Sequence, residues 1–309
     1  MRPALRIGSR GSALARWQAE YVAAALRARG LAVEVVFLAT SGDRFADRSL
    51  AEIGGKELFT KEIDQALAGG EVDMAVHSLK DVPALRPEML TLAAVPPRED
   101  PRDAWVAPAG VSWEALPPGA RIGTSSLRRR SQLLAQRPDV AIVPLRGNVD
   151  TRLRKWREGA CEALVLAGAG LKRLGQAGTI VAWLEPEVLC PAAGQGALAV
   201  ECRAEDGEAR RRLAPLDDAL THQAVLAERA VLARLGAGCQ TAVGALARWR
   251  GRELHLRAVV GEPDGHRLIV AEAASSGDAH ELGARVAERL LAQGAAEILA
   301  APTPAPEAP

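Results

Sequence analysis

Short apolar runs alternate with amphipathic segments through the first two-thirds of the chain, and that alternation predicts strands separated by helices. Residues 5–8 read as a strand. A helix follows from Ser12, with Leu14, Trp17, Tyr21, Val22 and Leu26 as its expected apolar face and Gly30 as its stop. A second strand is expected over 33–39, a helix over about 57–68 closed by Gly69-Gly70, and a third strand ending at His77. This β-α-β-α-β order implies a mostly parallel sheet covered by helices.

The run 95–101, rich in proline, interrupts the pattern and reads as a domain crossing. Beyond it the succession restarts, with strands over 121–123, 140–145 and 163–166 and helices over 125–136 and 149–158. The apolar run 197–200 is suited to return the chain to the first sheet. From Thr221 a long helix reaches Leu235; three alternating strands near 242–247, 253–260 and 267–273 follow, then a helix over 279–293. The expected fold class is α/β, with two periplasmic-binding-protein-like α/β domains, a cleft between them and a small C-terminal α+β domain. The expected boundaries are 1–96 with 197–216 for the first domain, 102–193 for the second and 221–300 for the third. Residues 301–309, nearly all Ala and Pro, are expected to be a disordered tail.

Composition narrows the class. The 309 residues are 48% hydrophobic and 25% charged, as in an ordinary globular protein, and only 3% aromatic, so the core has to be built from Ala, Leu and Val. No run approaches the roughly 18 apolar residues of a membrane span, and Arg2, Arg6 and Arg10 leave no signal-peptide core. The expectation is a cytoplasmic protein, a monomer, with no membrane or nucleic-acid partner. Net charge is +1, but residues 121–157 hold ten Arg or Lys against Asp139 and Asp150, either a solvated face or an anion site. The cysteines, 161, 190, 202 and 239, lack zinc-ligand spacing, so no metal is expected. Three lie in apolar runs and read as core residues, whereas Cys239 stands in a glycine-loosened turn, Gly236-Ala237-Gly238-Cys239-Gln240.

The candidate chemistry lies where strands run into helices. In Val76-His77-Ser78-Leu79-Lys80-Asp81-Val82-Pro83 an acid stands beside a base just past an apolar strand, which Pro83 prevents from continuing. Open α/β sheets place their chemistry at such strand ends. His77 is read as a hydrogen-bonded strand-end histidine. Four further junctions carry basic residues: 6–12 with Arg10 and Ser12, 123–129 with Thr124, Ser125, Ser126, Arg128 and Arg129, 146–152 with Arg146, Gly147 and Arg152, and 170–173 with Lys172 and Arg173. Helix N-termini and paired arginines grip carboxylates, so four such junctions point to a ligand that carries several. Three of the five lysines, Lys56, Lys61 and Lys80, fall between 56 and 80, and the glycine-bearing segment 41–57 is expected to act as a mobile lid. Neither a P-loop nor a dinucleotide fingerprint is present, which argues against kinases and dehydrogenases.

These motifs together resemble the porphobilinogen deaminase family of tetrapyrrole biosynthesis. The matching segments are 6–12, 54–62 (GGKELFTKE), 77–83 (HSLKDVP), 123–129 (GTSSLRR), 146–153 (RGNVDTRL), 169–174 (AGLKRL), 191–196 (PAAGQG) and 238–240 (GCQ), in family order. The resemblance implies a transferase that joins four porphobilinogens into the linear tetrapyrrole hydroxymethylbilane with loss of ammonia. It also implies a dipyrromethane cofactor held on Cys239 as a thioether. A growing chain of pyrroles carries about a dozen carboxylates, which accounts for the arginines. The resemblance assigns to Asp81 the role of stabilising positive charge on pyrrole nitrogens. The implied cofactor contacts are Lys80, Asp81, Thr124, Ser125, Ser126, Arg128, Arg129, Arg146 and Gly147, and the implied substrate contacts are Arg10, Ser12, Lys56, Phe59, Arg152, Arg173 and Gln195. Around the cysteine the chain departs from the family's GGCQ-Val-Pro: Ala237 replaces the first glycine and Thr241-Ala242 the last pair. A non-catalytic solute-binding protein shares the expected architecture but has no use for the cysteine. A nucleic-acid module would need stacking aromatics, and Trp156 is the sole one in the basic stretch.

Overall fold

The computed structural model describes residues 4–40, 60–238 and 240–301. In chain order the elements are β1 (Leu5–Arg10), α1 (Ala13–Arg27), β2 (Val33–Leu38), α2 (Lys61–Ala68), β3 (Met74–Ser78), a 3-10 turn (Leu79–Asp81), β4 (Leu90–Ala94), β5 (Asp103–Val106), β6 (Arg121–Gly123), α3 (Leu127–Gln136), β7 (Ala141–Val143), α4 (Val149–Arg157), β8 (Ala163–Ala167), α5 (Gly168–Arg173) and β9 (Ala182–Leu184). They continue with β10 (Leu198–Arg203), α6 (Gly207–Leu213), α7 (Ala219–Leu235), β11 (Val243–Arg250), β12 (Glu253–Gly261), β13 (Leu268–Ser275), α8 (Ala279–Ala292) and α9 (Ala295–Ala300). The expected strand–helix succession is present. Sequence reading missed the short strands β4, β5 and β9 and the helices α6 and α9.

Two compact units result, one of residues up to Glu99 with Gly196–Gln223, the other of Asp100–Gln195 with Ala224 onward. Each contains a five-stranded sheet, ordered β2-β1-β3-β10-β4 in the first and β7-β6-β8-β5-β9 in the second. The two orders are the same topology. Three parallel strands are followed by one antiparallel strand, and a fifth strand runs antiparallel to that one. The antiparallel member is β10 in the first sheet and β5 in the second. Because of it, each sheet is mixed.

The core of the first sheet closes with small side chains. Ser12 caps α1, its Oγ accepting from Ala15 N at 3.4 Å, which is worth about 1 kcal/mol. The buried face of α1 is Ala15, Gln18, Ala19, Val22, Ala23 and Leu26. Trp17 and Tyr21, expected in that face, instead stack on each other at 5.4 Å and stand 38% and 42% exposed. Alanines let the helix approach the sheet more closely than two aromatic rings would, which turns the rings outward.

In the second unit the sheet and the C-terminal strands β11-β12-β13 are joined through the 190–191 backbone. Ala245 N donates to Pro191 O at 2.9 Å, and a Cβ at Gly244 would meet the Cys190 carbonyl oxygen at 2.7 Å. Cys161, Cys190 and Cys202 are buried thiols, as expected. Desolvation pushes the Cys190 thiol up to about 12, so it is inert as a nucleophile. The expected lid 41–57 and, apart from Ala301, the expected tail 301–309 lie outside the described residues.

Candidate active site

In the first unit, β1 and β3 are parallel neighbours, so their C-terminal ends emerge at one edge of the sheet. Arg10 ends β1, Ser12 caps the helix that follows, and the turn bearing Lys80 and Asp81 follows β3. Leu79 sets that turn: its side chain is buried and its N–H donates to Ala197 O at 3.1 Å, while Val82 N closes the turn on Leu79 O at 3.1 Å. Gln18 of α1 donates to Ser78 Oγ at 2.8 Å. Arg10, Ser12, Lys80 and Asp81 are left half-buried at this edge. Arg6, in the same sequence motif, sits at the opposite end of β1 and is committed to Asp73 at 2.9 Å.

His77 differs from expectation. It is buried, but its Nε2 has no hydrogen-bond partner and lies 3.8 Å from Glu201. Burial lowers its pKa to about 4, so the ring is neutral at physiological pH. Nearby, Arg86 spans Asp64 and Glu201. Asp64, His77 and Glu201 bring ligand-type atoms within 4.8 Å of one another, yet the guanidinium of Arg86 already supplies a cation to both carboxylates.

In the second unit the parallel set β7-β6-β8 brings three junctions to one edge. After β6 come Thr124, buried, and Ser125, exposed. Ser126 caps α3, accepting from Arg129 N at 3.4 Å. After β7 come Arg146 and Gly147, both half-buried. Gly147 has φ +109°, and a Cβ there would lie 2.7 Å from the Thr151 methyl, so the turn requires glycine. Arg152 Nε donates to Gly147 O at 2.7 Å and braces the turn. After β8 comes α5, which ends in the half-buried Arg173.

β5 runs antiparallel to β8, which puts its first residue, Asp103, at this same edge opposite Ala167. Asp103 is fully buried and is the residue that sequence reasoning missed. Arg128 reaches its Oδ2 at 2.8 Å and Arg129 its Oδ1 at 2.7 Å. Gln195 donates to the same Oδ1 at 3.0 Å and to Pro101 O at 2.7 Å. Arg128, Arg129 and Gln195, expected to hold ligand, are thus buried around one carboxylate. Arg128 also donates to Cys190 O at 2.7 Å. Burial lowers the Arg128 pKa, Asp103 opposes that shift, and the charge of Arg129 adds to it. Two guanidiniums sharing one carboxylate keep the site electropositive. The sequence signal was present: a lone acid opening an otherwise apolar run, Asp103-Ala104-Trp105-Val106. Lys56, Phe59 and Cys239 lie outside the described residues.

Residues 5–211 match the family model described as "Porphobilinogen deaminase, dipyromethane cofactor binding domain", and residues 222–292 match "Porphobilinogen deaminase, C-terminal domain". Among curated relatives, a porphobilinogen deaminase of Roseiflexus sp. (strain RS-1) is 53% identical, the match covering 97% of this chain and 100% of the relative. One from Acidithiobacillus ferrooxidans is 52% identical, covering 96% and 97%. Among solved structures, the methionine-binding protein MetQ aligns with TM-score 0.44 and 14% identity over 71% of this chain and 90% of that one.

Proposed function

The chain belongs to the porphobilinogen deaminase family, transferases that join four porphobilinogens into hydroxymethylbilane with release of ammonia, and we propose that Asp81 is the carboxylate that carries this reaction. The observation behind the proposal is the 3-10 turn, which holds Asp81 half-buried at the strand-end edge it shares with Arg10 and the α1 N-terminus. There it faces the charge that the reaction creates. Deamination and condensation each place positive charge on a pyrrole nitrogen of the substrate. A carboxylate 4 Å away, at an effective dielectric of about 20, stabilises that charge by about 4 kcal/mol, roughly a thousandfold in rate. The Asp81 oxygens also hold and return the proton that moves between steps.

The matched domain is the family's dipyrromethane cofactor binding domain. When bound, the cofactor supplies the pyrrole end onto which new units are joined. The donor set fits a polycarboxylate of this kind, with hydroxyls at Thr124, Ser125 and Ser126, a capped helix start, and the electropositive Arg128–Arg129–Asp103 cluster behind them. We assign Cys239 as the attachment point, with Lys80, Asp81, Thr124, Ser125, Ser126, Arg128, Arg129, Arg146 and Gly147 as cofactor contacts. Arg10, Ser12, Lys56, Phe59, Arg152, Arg173 and Gln195 are assigned to substrate. Arg128 and Arg129 keep N–H groups beyond those given to Asp103 and Cys190, whereas Gln195 has given both Nε2 hydrogens to Asp103 and Pro101 and would meet substrate through its Oε1. No helix among the described residues is long and apolar enough to cross a membrane, and the proposed working form is a cytoplasmic monomer.

The test is Asp81→Asn beside Asp81→Glu, with turnover measured on chains whose cofactor load has been counted by electrospray mass. Asp81→Asn should lose about a thousandfold, and Asp81→Glu should keep a small fraction of activity. Turnover by Asp81→Asn within tenfold of wild type would refute the assignment of Asp81. Failure of Cys239→Ser to lose the extra covalent mass would refute the attachment point.

A further inference from the structure

A buried charge cluster that the proposed chemistry does not use holds the segment leaving Asp81. Arg86 follows Asp81 by five residues. Its guanidinium donates to both oxygens of Asp64 on α2, at 2.7 and 2.9 Å, and to both oxygens of Glu201 on β10, at 2.8 and 3.2 Å. The side chains of Arg86, Asp64 and Glu201 are only 10%, 12% and 1% exposed. Desolvation works to lower the pKa of Arg86, but the hydrogen bonds from Asp64 and the charge of Glu201 outweigh it and the net shift is upward. The guanidinium therefore stays charged. His77, neutral, packs against the same Glu201 and offers it no competing cation.

The geometry clamps the turn from two sides. At its entry Leu79 N is bonded to Ala197 O, next to the first residue of β10. At its exit Arg86 grips Glu201, further along the same strand, and reaches across to α2. Between the clamps lie six residues, Lys80, Asp81, buried Val82, Pro83, Ala84 and exposed Leu85, so that a displacement of either end is passed along this one segment to the carboxylate. Replacing Arg86 would release the exit and leave two buried carboxylates without this cation, which would drive them apart.

We infer that Arg86 is a positioning residue for the reaction: by tying the chain after Asp81 to β10 and α2, it fixes where the reacting carboxylate stands. The inference rests on the assignment of Asp81. A reacting group moved by about 1 Å costs on the order of a hundredfold in rate, whereas a role in stability alone would leave the turnover of folded, loaded enzyme unchanged.

The experiment uses the full-length, cofactor-loaded enzyme with Arg86→Ala and Arg86→Lys, measuring kcat per loaded chain, KM and melting temperature. Added guanidinium at about 50 mM, far below the molar concentrations that unfold proteins, serves as a chemical rescue, with sodium at equal ionic strength as control. For Arg86→Ala, kcat should fall about 10- to 100-fold with KM within about threefold, guanidinium should restore part of it, and Arg86→Lys should fall between. Should Arg86→Ala not fold, Asp64→Asn keeps an oxygen acceptor for Arg86 but removes one charge, and should lower kcat by about threefold or more. Wild-type kcat per loaded chain in Arg86→Ala, or in Asp64→Asn where the first cannot be made, overturns the inference. Inactive Asp81→Asn beside fully active Arg86→Ala would end this inference alone, whereas active Asp81→Asn would end the reading it rests on.

Discussion

Asp103→Asn perturbs the buried Arg128–Asp103–Arg129 cluster of the second unit at almost constant volume. The native carboxylate is fully buried and receives Arg128 at 2.8 Å, Arg129 at 2.7 and 3.1 Å, and Gln195 at 3.0 Å. After the change Oδ1 can still accept from Arg129 and Gln195. The new amide nitrogen, however, faces Arg128, donor against donor, and two guanidiniums remain with no negative charge between them. Removing one partner of a buried ion pair costs about 3–5 kcal/mol. For a unit of this size each kcal/mol lowers the melting temperature by about 2–4 °C, so a drop of order 10 °C is expected.

A double-mutant cycle separates this cost from generic damage. Arg129→Gln alone removes one cation and leaves Asp103 paired with Arg128. Combined with Asp103→Asn it leaves one buried cation instead of two. The double variant should therefore be more stable than the sum of the single losses by about 1 kcal/mol or more. Urea unfolding of the full chain measures all three. The reasoning fails if Asp103→Asn costs under 1 kcal/mol, or if the two losses simply add.

Three further outcomes are expected. His77 binds its proton with a pKa of about 4 in the folded protein against 6.5 unfolded; stability is fully present above pH 6.5 and falls as the pH drops towards 4, by up to about 3 kcal/mol. His77→Gln should flatten that slope in urea titrations between pH 7 and 4, and parallel slopes would refute it. Gly168→Ala would drive a Cβ into the Trp183 ring, and should cost about 1–3 kcal/mol by overpacking, read as a lowered melting temperature. Single replacement of Arg146, Arg152 or Arg173 by Leu should stall elongation at different chain lengths, since each added pyrrole brings new carboxylates. Native mass spectrometry after limiting substrate would count bound pyrroles, and identical distributions that are merely slower would contradict it.

Much of the fold could be read from the sequence because period and punctuation agree. Ser12 and Ser126 cap helices where hydroxyl residues precede periodic runs, and Gly30 and Gly69-Gly70 close two helices. The strands that escaped notice span the same three to five residues as β6 and β8, but they lie beside Pro87, Pro96, Pro101, Pro108 and Pro186, whose loop signal outweighs so short a run. Helix α1 shows the limit of counting apolar positions. Its periodicity admits two neighbouring faces, one aromatic and one of alanines, and the tighter packing of the second decides which is buried.

The site was legible as a set of charges and illegible as a set of partners. Arg128 and Arg146 both read as arginines at a helix start, yet one is buried against an aspartate 25 residues away in sequence and the other is half-buried at the edge. What distinguishes them is written in the strand and not in the arginine. In each sheet the antiparallel strand is inserted between two others, and its residues are almost all buried. A carboxylate in such a strand persists only if a cation comes to it. Both inserted strands carry one acid in an otherwise apolar run, Asp103 in β5 and Glu201 in β10, and both acids have drawn in arginines from elsewhere in their own unit. In an inserted, buried strand a single acid therefore predicts a buried arginine partner, whereas Glu34, the single acid of the edge strand β2, is exposed. Once the strand order is known, the rule identifies Asp103 and Glu201, and with them the arginines that are committed within the fold before any ligand arrives.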